Sequence, residues 1–220
     1  MRRFLLLAHR VPVDGAFSLN DLAGGAGRMD EIARAVSTAF TLSNDLRRDT
    51  ELTVLFVGAP PGGARRIDLV GARLRHLNPD ERSTAALLKN ALIRAVGYLG
   101  DFESSPGLRV GPVDPAAALA AFAAGPGAVW LSEDGTPATA AWSGPATDRA
   151  AIVSDPFDPT PAEAALLAAS GIPKVAVGPR SLRTSQVIDL VHAEWDRREV
   201  AATSGSLSGP ASGRSGAGGS

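Results

Sequence analysis

The chain has 220 residues, 45% of them hydrophobic and 20% charged, with a formal net charge of −1. That is enough for one large or two small domains with a real core, and the near-neutral balance gives no global argument for nucleic acid. The absence of cysteine excludes disulfides, thiolate zinc sites and cysteine nucleophiles.

At the N-terminus, MRRFLLLAHR sets two arginines before an apolar run too short for a signal peptide. It predicts a first buried strand at 4–7. No run reaches the roughly 18 apolar residues of a membrane span, so a cytoplasmic chain is expected. A loop with Gly24, Gly25 and Gly27 leads through Arg28 into a helix at 30–42, where Ile32, Ala35, Val36, Ala39 and Phe40 share a face. GGAGR lacks an abutting strand and a GK[ST] ending, so it reads as a loop packed on a neighbouring subunit or RNA rather than a nucleotide cradle. The polar cluster SNDLRRD (43–49) precedes a strand at 52–57. Pro60-Pro61-Gly62-Gly63 turns that strand onto another at 66–70 as a hairpin-like pair. Asn78 as N-cap, Pro79 in the first turn and Glu81 start a helix carrying Ala85, Leu88, Leu92, Ile93 and Val96, which ends near Gly97 or Gly100. Residues 106–112 read as loop with room for one short strand.

Beyond Asp114-Pro115, which cap a helix to 122, a strand at 128–131 ends in Ser132-Glu133-Asp134-Gly135. A second at 150–153 ends in Ser154-Asp155-Pro156-Phe157. Thr160-Pro161-Ala162-Glu163 is a capping box with proline at its first position, opening a helix to 169. A strand at 175–177 then meets Gly178-Pro179, and Ser181, Thr184 or Ser185 can cap a final helix with apolar Val187, Ile188, Leu190 and Val191. Strands alternating with helices predict an α/β fold, a mostly parallel sheet with helices on both faces. The domain is expected to span 1–198, with a disordered Gly- and Ser-rich tail at 199–220.

Three strand ends offer a shared site, because ligands of open α/β sheets bind outside the carboxyl ends of the strands. They present Leu131 and Ser132, then Val153 and Ser154, then Gly178, Pro179 and Leu182. Backbone groups, hydroxyls and apolar surface suit an adenine ring and ribose better than a triphosphate. A nucleoside-bearing cofactor such as S-adenosylmethionine is the expectation. Charge is unevenly spread: up to residue 114 there are 15 Lys and Arg against 13 Asp and Glu, and after it 7 against 10. The basic half is compatible with a phosphate-rich partner. His9, His76 and His192 stand far apart, so no metal site is expected.

GRMDEIARAVSTAFTLSNDLRRD (27–49), NPDERS (78–83) and VGPRSLRTSQVIDLVHAEWDR (177–197) together resemble the TrmY family, tRNA pseudouridine-N1 methyltransferases of the SPOUT superfamily. The resemblance implies a trefoil-knotted fold with its knot in about 128–198, a homodimer and S-adenosylmethionine in the knot. It also implies pseudouridine 54 in the tRNA T-loop as target. Members often carry a cysteine where this chain has Val187, in the cofactor-holding helix, and a histidine where it has Asn44. N1 of pseudouridine bears a proton and turns nucleophilic when it is removed, so transfer needs alignment and a proton acceptor. Asp49 or Asp45 is the expected acceptor. Arg47 or Arg48 is expected to hold phosphate or the developing anion, and Arg28 and Arg82 to make further RNA contacts. The alternatives are a SPOUT enzyme acting on another RNA nucleoside (a ribosomal pseudouridine or a ribose 2′-hydroxyl) and a cofactor- or RNA-binding module without catalysis.

Overall fold

The apolar run near the N-terminus becomes the middle of a sheet. In the computed structural model, which describes residues 1–58, 63–142 and 148–206, it forms β1 (Arg2–Ala8), buried along nearly its whole length. A strand covered on both faces reads as a continuous apolar run because helices lie above and below it. The chain continues through α1 (Met29–Phe40), β2 (Thr50–Phe56), β3 (Arg65–Val70), α2 (Glu81–Ala95), β4 (Phe102–Ser105), β5 (Leu108–Pro112) and α3 (Pro115–Ala123). It closes with β6 (Ala128–Pro137), α4 (Ala138–Ala141), β7 (Arg149–Ser154), α5 (Pro161–Ala169), β8 (Lys174–Ala176) and α6 (Thr184–Ser206).

One eight-stranded sheet has the order β4-β5-β3-β2-β1-β7-β6-β8. Strands β2, β1, β7, β6 and β8 run parallel, while β3, β5 and β4 extend the β2 edge antiparallel. The expected parallel sheet therefore holds for five strands and gives way to meander pairing over 65–112. The physical reason is chain length: 57–64 is shorter than the dozen or more residues a parallel crossover needs. The Pro60-Pro61-Gly62 part of the predicted turn lies outside the described residues.

Alternation in β1 divides the core. Phe4, Leu6 and Ala8 pack with α1, α2 and α6, while Leu5 and Leu7 pack with Leu119 and Leu167 of α3 and α5. On α6, beyond the buried Thr184 and Ser185 of its first turn, Ile188, Val191, His192 and Trp195 form a buried helical stripe; Leu190, expected in that stripe, is 40% exposed. Trp195 stacks near Phe4 (5.2 Å between centroids) and Trp142 (5.7 Å).

Several boundaries differ from the expectation. Asp80, not Asn78, caps α2 by accepting the Ser83 N–H, and the Asn78 carbonyl instead accepts from Thr84 Oγ1. Two strands, β4 and β5, turn about Gly107 at φ 79°, where one had been expected. Strand β6 runs on to Pro137 through an irregularity between Leu131 and Thr136. Helix α6 continues past 198 because its second half is tied to the sheet: Arg149 donates to the Trp195 carbonyl and Arg2 to Glu199. Residues 207–220 of the expected tail lie outside the described residues. The caps at Asp114 and the Thr160–Glu163 box form as the sequence predicts.

Candidate functional site

All five parallel strands point their carboxyl ends to one edge, and beyond β6, β7 and β8 that edge opens into a hollow of about 460 Å³. This lies within the roughly 300–1,000 Å³ of small-molecule sites. Leu131, Ser132, Val153, Ser154, Gly178, Leu182 and Val187 all line it; Pro179, the eighth residue expected there, does not. Val175 and Val177 add apolar wall, and Glu133, Asp155, Asp158, Arg28, Arg180 and Arg183 add charge.

The wall is held by a chain of hydrogen bonds. Thr184 Oγ1 donates to the Ser154 carbonyl at 2.6 Å, fixing the start of α6 against the end of β7. Ser185 donates both its N–H (3.0 Å) and its hydroxyl (2.8 Å) to Glu31 Oε1. Glu31 is fully buried, so a carboxylate on α1 satisfies the N-terminal turn of α6, where helices leave N–H groups unpaired. Arg34 then pairs with Glu31, Asp30 and Glu81. Ser132 is committed to Asp134, which also takes Lys174 at 2.9 Å. A Cβ at Gly178 would meet only Leu182 Cδ1, at 3.7 Å. Nothing inside the chain requires glycine there; the open space is the hollow's own.

Arg28 belongs to this site. It is the one described residue other than glycine with a left-handed backbone (φ 70°), a conformation that costs energy and concentrates at functional positions. Its guanidinium pairs with Asp30 at 2.9 and 3.0 Å. Burial raises the Asp30 pKa less than Arg28 and Arg34 lower it, and the net direction is down. Arg180 and Arg183 escaped the sequence reading, although RSLR lies inside the block 177–197; their value shows only once β8 and α6 set them at the mouth. Arg10, also missed, is exposed nearby, with its guanidinium 3.7 Å from the centre of the Phe157 ring.

The expected catalytic cluster lies elsewhere. Thr50 pairs with Arg2 at the amino end of β2, and Phe56 with Ala8 at its carboxyl end. Six residues at about 3.3 Å separate Asp49 from the level of the hollow by roughly 20 Å. Within one chain the cluster is structural. Asp49 pairs with Arg2 at 3.0 Å, Arg47 pairs with Asp196 at 2.8 Å, and Arg48 donates to the Gly71 and Leu74 carbonyls. Asp45 has its pKa lowered by the Leu46 N–H and then by Arg48, which makes it a weaker proton acceptor. Arg82 donates to the Leu19 carbonyl and Asn20 in the β1–α1 connection. No group of acidic and histidine side chains among the described residues is arranged to hold a metal ion, and no described helix is long and apolar enough to cross a membrane.

Residues 1–200 match a family model described as a putative SAM-dependent RNA methyltransferase. The chain is a member of this family, the TrmY methyltransferases. It is 40% identical over 198 residues to the tRNA (pseudouridine(54)-N(1))-methyltransferase of Methanocella arvoryzae, covering 90% of this chain and all of the relative. To the protein of the same name from Haloferax volcanii it is 38% identical, covering 89% and 96%. In fold it is similar to Archaeoglobus fulgidus Nep1 bound to S-adenosylhomocysteine, with a TM-score of 0.61, 13% identity and coverage of 90% and 99%. For a TrmY methyltransferase, a hollow walled by Val153, Leu182 and Val187, with an open face at Gly178, fits an adenosyl group.

Proposed function

We propose that this TrmY-family chain transfers a methyl group from S-adenosylmethionine to N1 of pseudouridine 54 in tRNA, in the cytoplasm. The observation that carries this reading is the convergence of three strand ends and three arginines, Arg28, Arg180 and Arg183, on one hollow. The names of the relatives support the substrate, and the ligand bound to the structural neighbour supports the cofactor class. When bound, that cofactor supplies an electrophilic methyl on a sulfonium. The chain's part is to bind and to orient. Leu131, Val153, Leu182 and Val187 give apolar contact and exclude water, and the N-terminal turn of α6, pinned by Glu31, gives the wall rigidity. Arg10, Arg28, Arg180 and Arg183 form the rim that takes T-arm phosphates, since a guanidinium binds phosphate oxygens in a fork.

Of the carboxylates on the wall, Asp155 is committed to His9. Glu133 and Asp158 are the same-chain groups we place as acceptors of the N1 proton. Asp45, Arg47 and Asp49 reach a cofactor only if a second copy brings its amino-end edge to this hollow, which is how they enter the homodimer we propose. Threading of 128–198 into a trefoil belongs to the same reading, supported by the return of α6 to the Ser154 carbonyl. The test is methyl transfer to tRNA transcripts carrying pseudouridine or uridine at position 54, read by nucleoside mass spectrometry. 1-Methylpseudouridine from the first and no methylation of the second is expected. No 1-methylpseudouridine from either overturns the proposal.

A further inference from the structure

At the carboxyl end of β1, beside the hollow but not on its wall, His9 lies between two carboxylates. Its backbone N–H donates to Asp155 Oδ2 at 2.7 Å, Nδ1 lies 2.8 Å from Asp155 Oδ1, and Nε2 lies 3.1 Å from Glu163 Oε2. An ionised carboxylate only accepts, so both contacts are satisfied together when both ring nitrogens donate, as an imidazolium. The His9 side chain is 9% exposed and that of Asp155 fully buried. Burial opposes the charge, but hydrogen bonds and the field of Asp155, then Glu163, outweigh it and hold the His9 pKa above its ordinary value. The charged groups facing the ring are Asp155 at the end of β7 and Glu163 in the first turn of α5. Arg10, next in sequence, turns instead onto Phe157.

These two contacts hold the two ends of one short segment. Asp155 Oδ1 also accepts the Phe157 N–H at 3.0 Å, and Glu163 Oε2 also accepts the Thr160 N–H at 2.7 Å. Between them, Asp155, Pro156, Asp158 and Pro159 form one side of the hollow. The first half of the segment is also tied to the sheet, by the Asp155 N–H donating to the Leu7 carbonyl at 2.9 Å and by Ser154 Oγ donating to the Phe157 carbonyl. Pro156 and Pro159 carry no N–H, and the His9–Glu163 contact ties the far end.

We propose that His9, as an imidazolium, is a positioning residue for the cofactor hollow: it clamps the 155–160 wall at both ends, and loss of its proton loosens that wall and weakens cofactor binding. The proposal rests on the reading of the hollow as an adenosyl site. The experiment measures the Kd of S-adenosylhomocysteine by calorimetry on the full chain from pH 6 to 9.5, with the His9 ring followed by NMR. A constant Kd is expected while His9 keeps its proton, then a rise of about five- to tenfold with the same midpoint as the ring. H9Q is expected to bind at the weakened value with no such step. E163Q keeps the capping box, which accepts glutamine as well as glutamate, and removes one of the two charges; its midpoint is expected to move to lower pH. If H9Q does not fold, E163Q decides, since the ring stays in place. A Kd that is flat through the His9 midpoint, or a step that persists in H9Q or fails to move in E163Q, overturns the clamp alone. Absence of binding at every pH overturns the reading of the hollow, and the clamp falls with it.

Discussion

His192 gives the sharpest test of how α6 is held on the sheet. The ring is 2% exposed, edge-on to Phe4 at 5.0 Å, with Nε2 3.1 Å from the Ala39 carbonyl and Nδ1 3.3 Å from Arg2 Nη1. A guanidinium cannot accept a hydrogen bond, so Nδ1 accepts and Nε2 carries the single proton. Burial first, and then the positive fields of Arg47 and Arg2, lower its pKa to about 3. The unfolded chain, with a histidine pKa of about 6.5, therefore binds a proton that the folded chain refuses between about pH 3 and 6.5. The resulting stability is fully present above about pH 6.5 and falls as the pH drops. At about 1.4 kcal/mol per pH unit, moving from pH 7 to pH 5 costs roughly 2 kcal/mol through this residue alone. The assay is urea unfolding of the wild type and H192Q at both pH values. Subtracting the variant's pH dependence cancels every other group, including His9, whose raised pKa has the opposite sign and whose contribution is lost as pH rises. The difference between the two pH dependences is expected at about 2 kcal/mol. Equal pH dependence in both proteins, or a His192 ring that titrates near 6.5 in the folded state, refutes the reasoning.

At Gly178, where a Cβ meets only Leu182, G178V is expected to fold with an unchanged melting temperature and to bind S-adenosylhomocysteine about 10- to 100-fold more weakly by calorimetry. Glu31→Ala leaves the Ser185 N–H and hydroxyl without their buried acceptor, and urea titration is expected to give a loss of about 1–3 kcal/mol; a loss near zero contradicts the capping role assigned to Glu31. Single-turnover methylation separates the acceptor candidates. E133Q or D158N is expected to slow the chemical step at least about tenfold, whereas D49N does so only if the proposed homodimer forms and brings that edge to a partner's hollow. Thr160→Ala removes the side chain that accepts the Glu163 N–H and is expected to cost about 1 kcal/mol in unfolding experiments.

Much of the local structure was legible because its causes are local. The apolar run at 4–7, the capping box at Thr160 and Glu163, and Asp114 before Pro115 each carry their signal within a few residues. Three strand-end loops were also readable as candidates for one site, since a parallel sheet sends its carboxyl ends to the same edge. Less was legible where a neighbour distant in sequence decides. Asp49 and Arg47 sit in a conspicuous polar cluster, but Arg2 and Asp196 take them up at the opposite end of the strands. Nothing in SNDLRRD says which end of β2 it occupies relative to Gly178.

By itself the sequence determined the alternation of strands and helices, the apolar walls of the hollow and the family to which the chain belongs. Tertiary structure alone decided that Arg28, Arg180 and Arg183 line one hollow, that Glu31 caps a helix 154 residues away, and that the pKa values of His9 and His192 move in opposite directions. The physical reason is that periodicity and capping follow from bonds a few residues apart. The ionisation of a buried group and the convergence of side chains depend instead on distances that only the closed sheet sets.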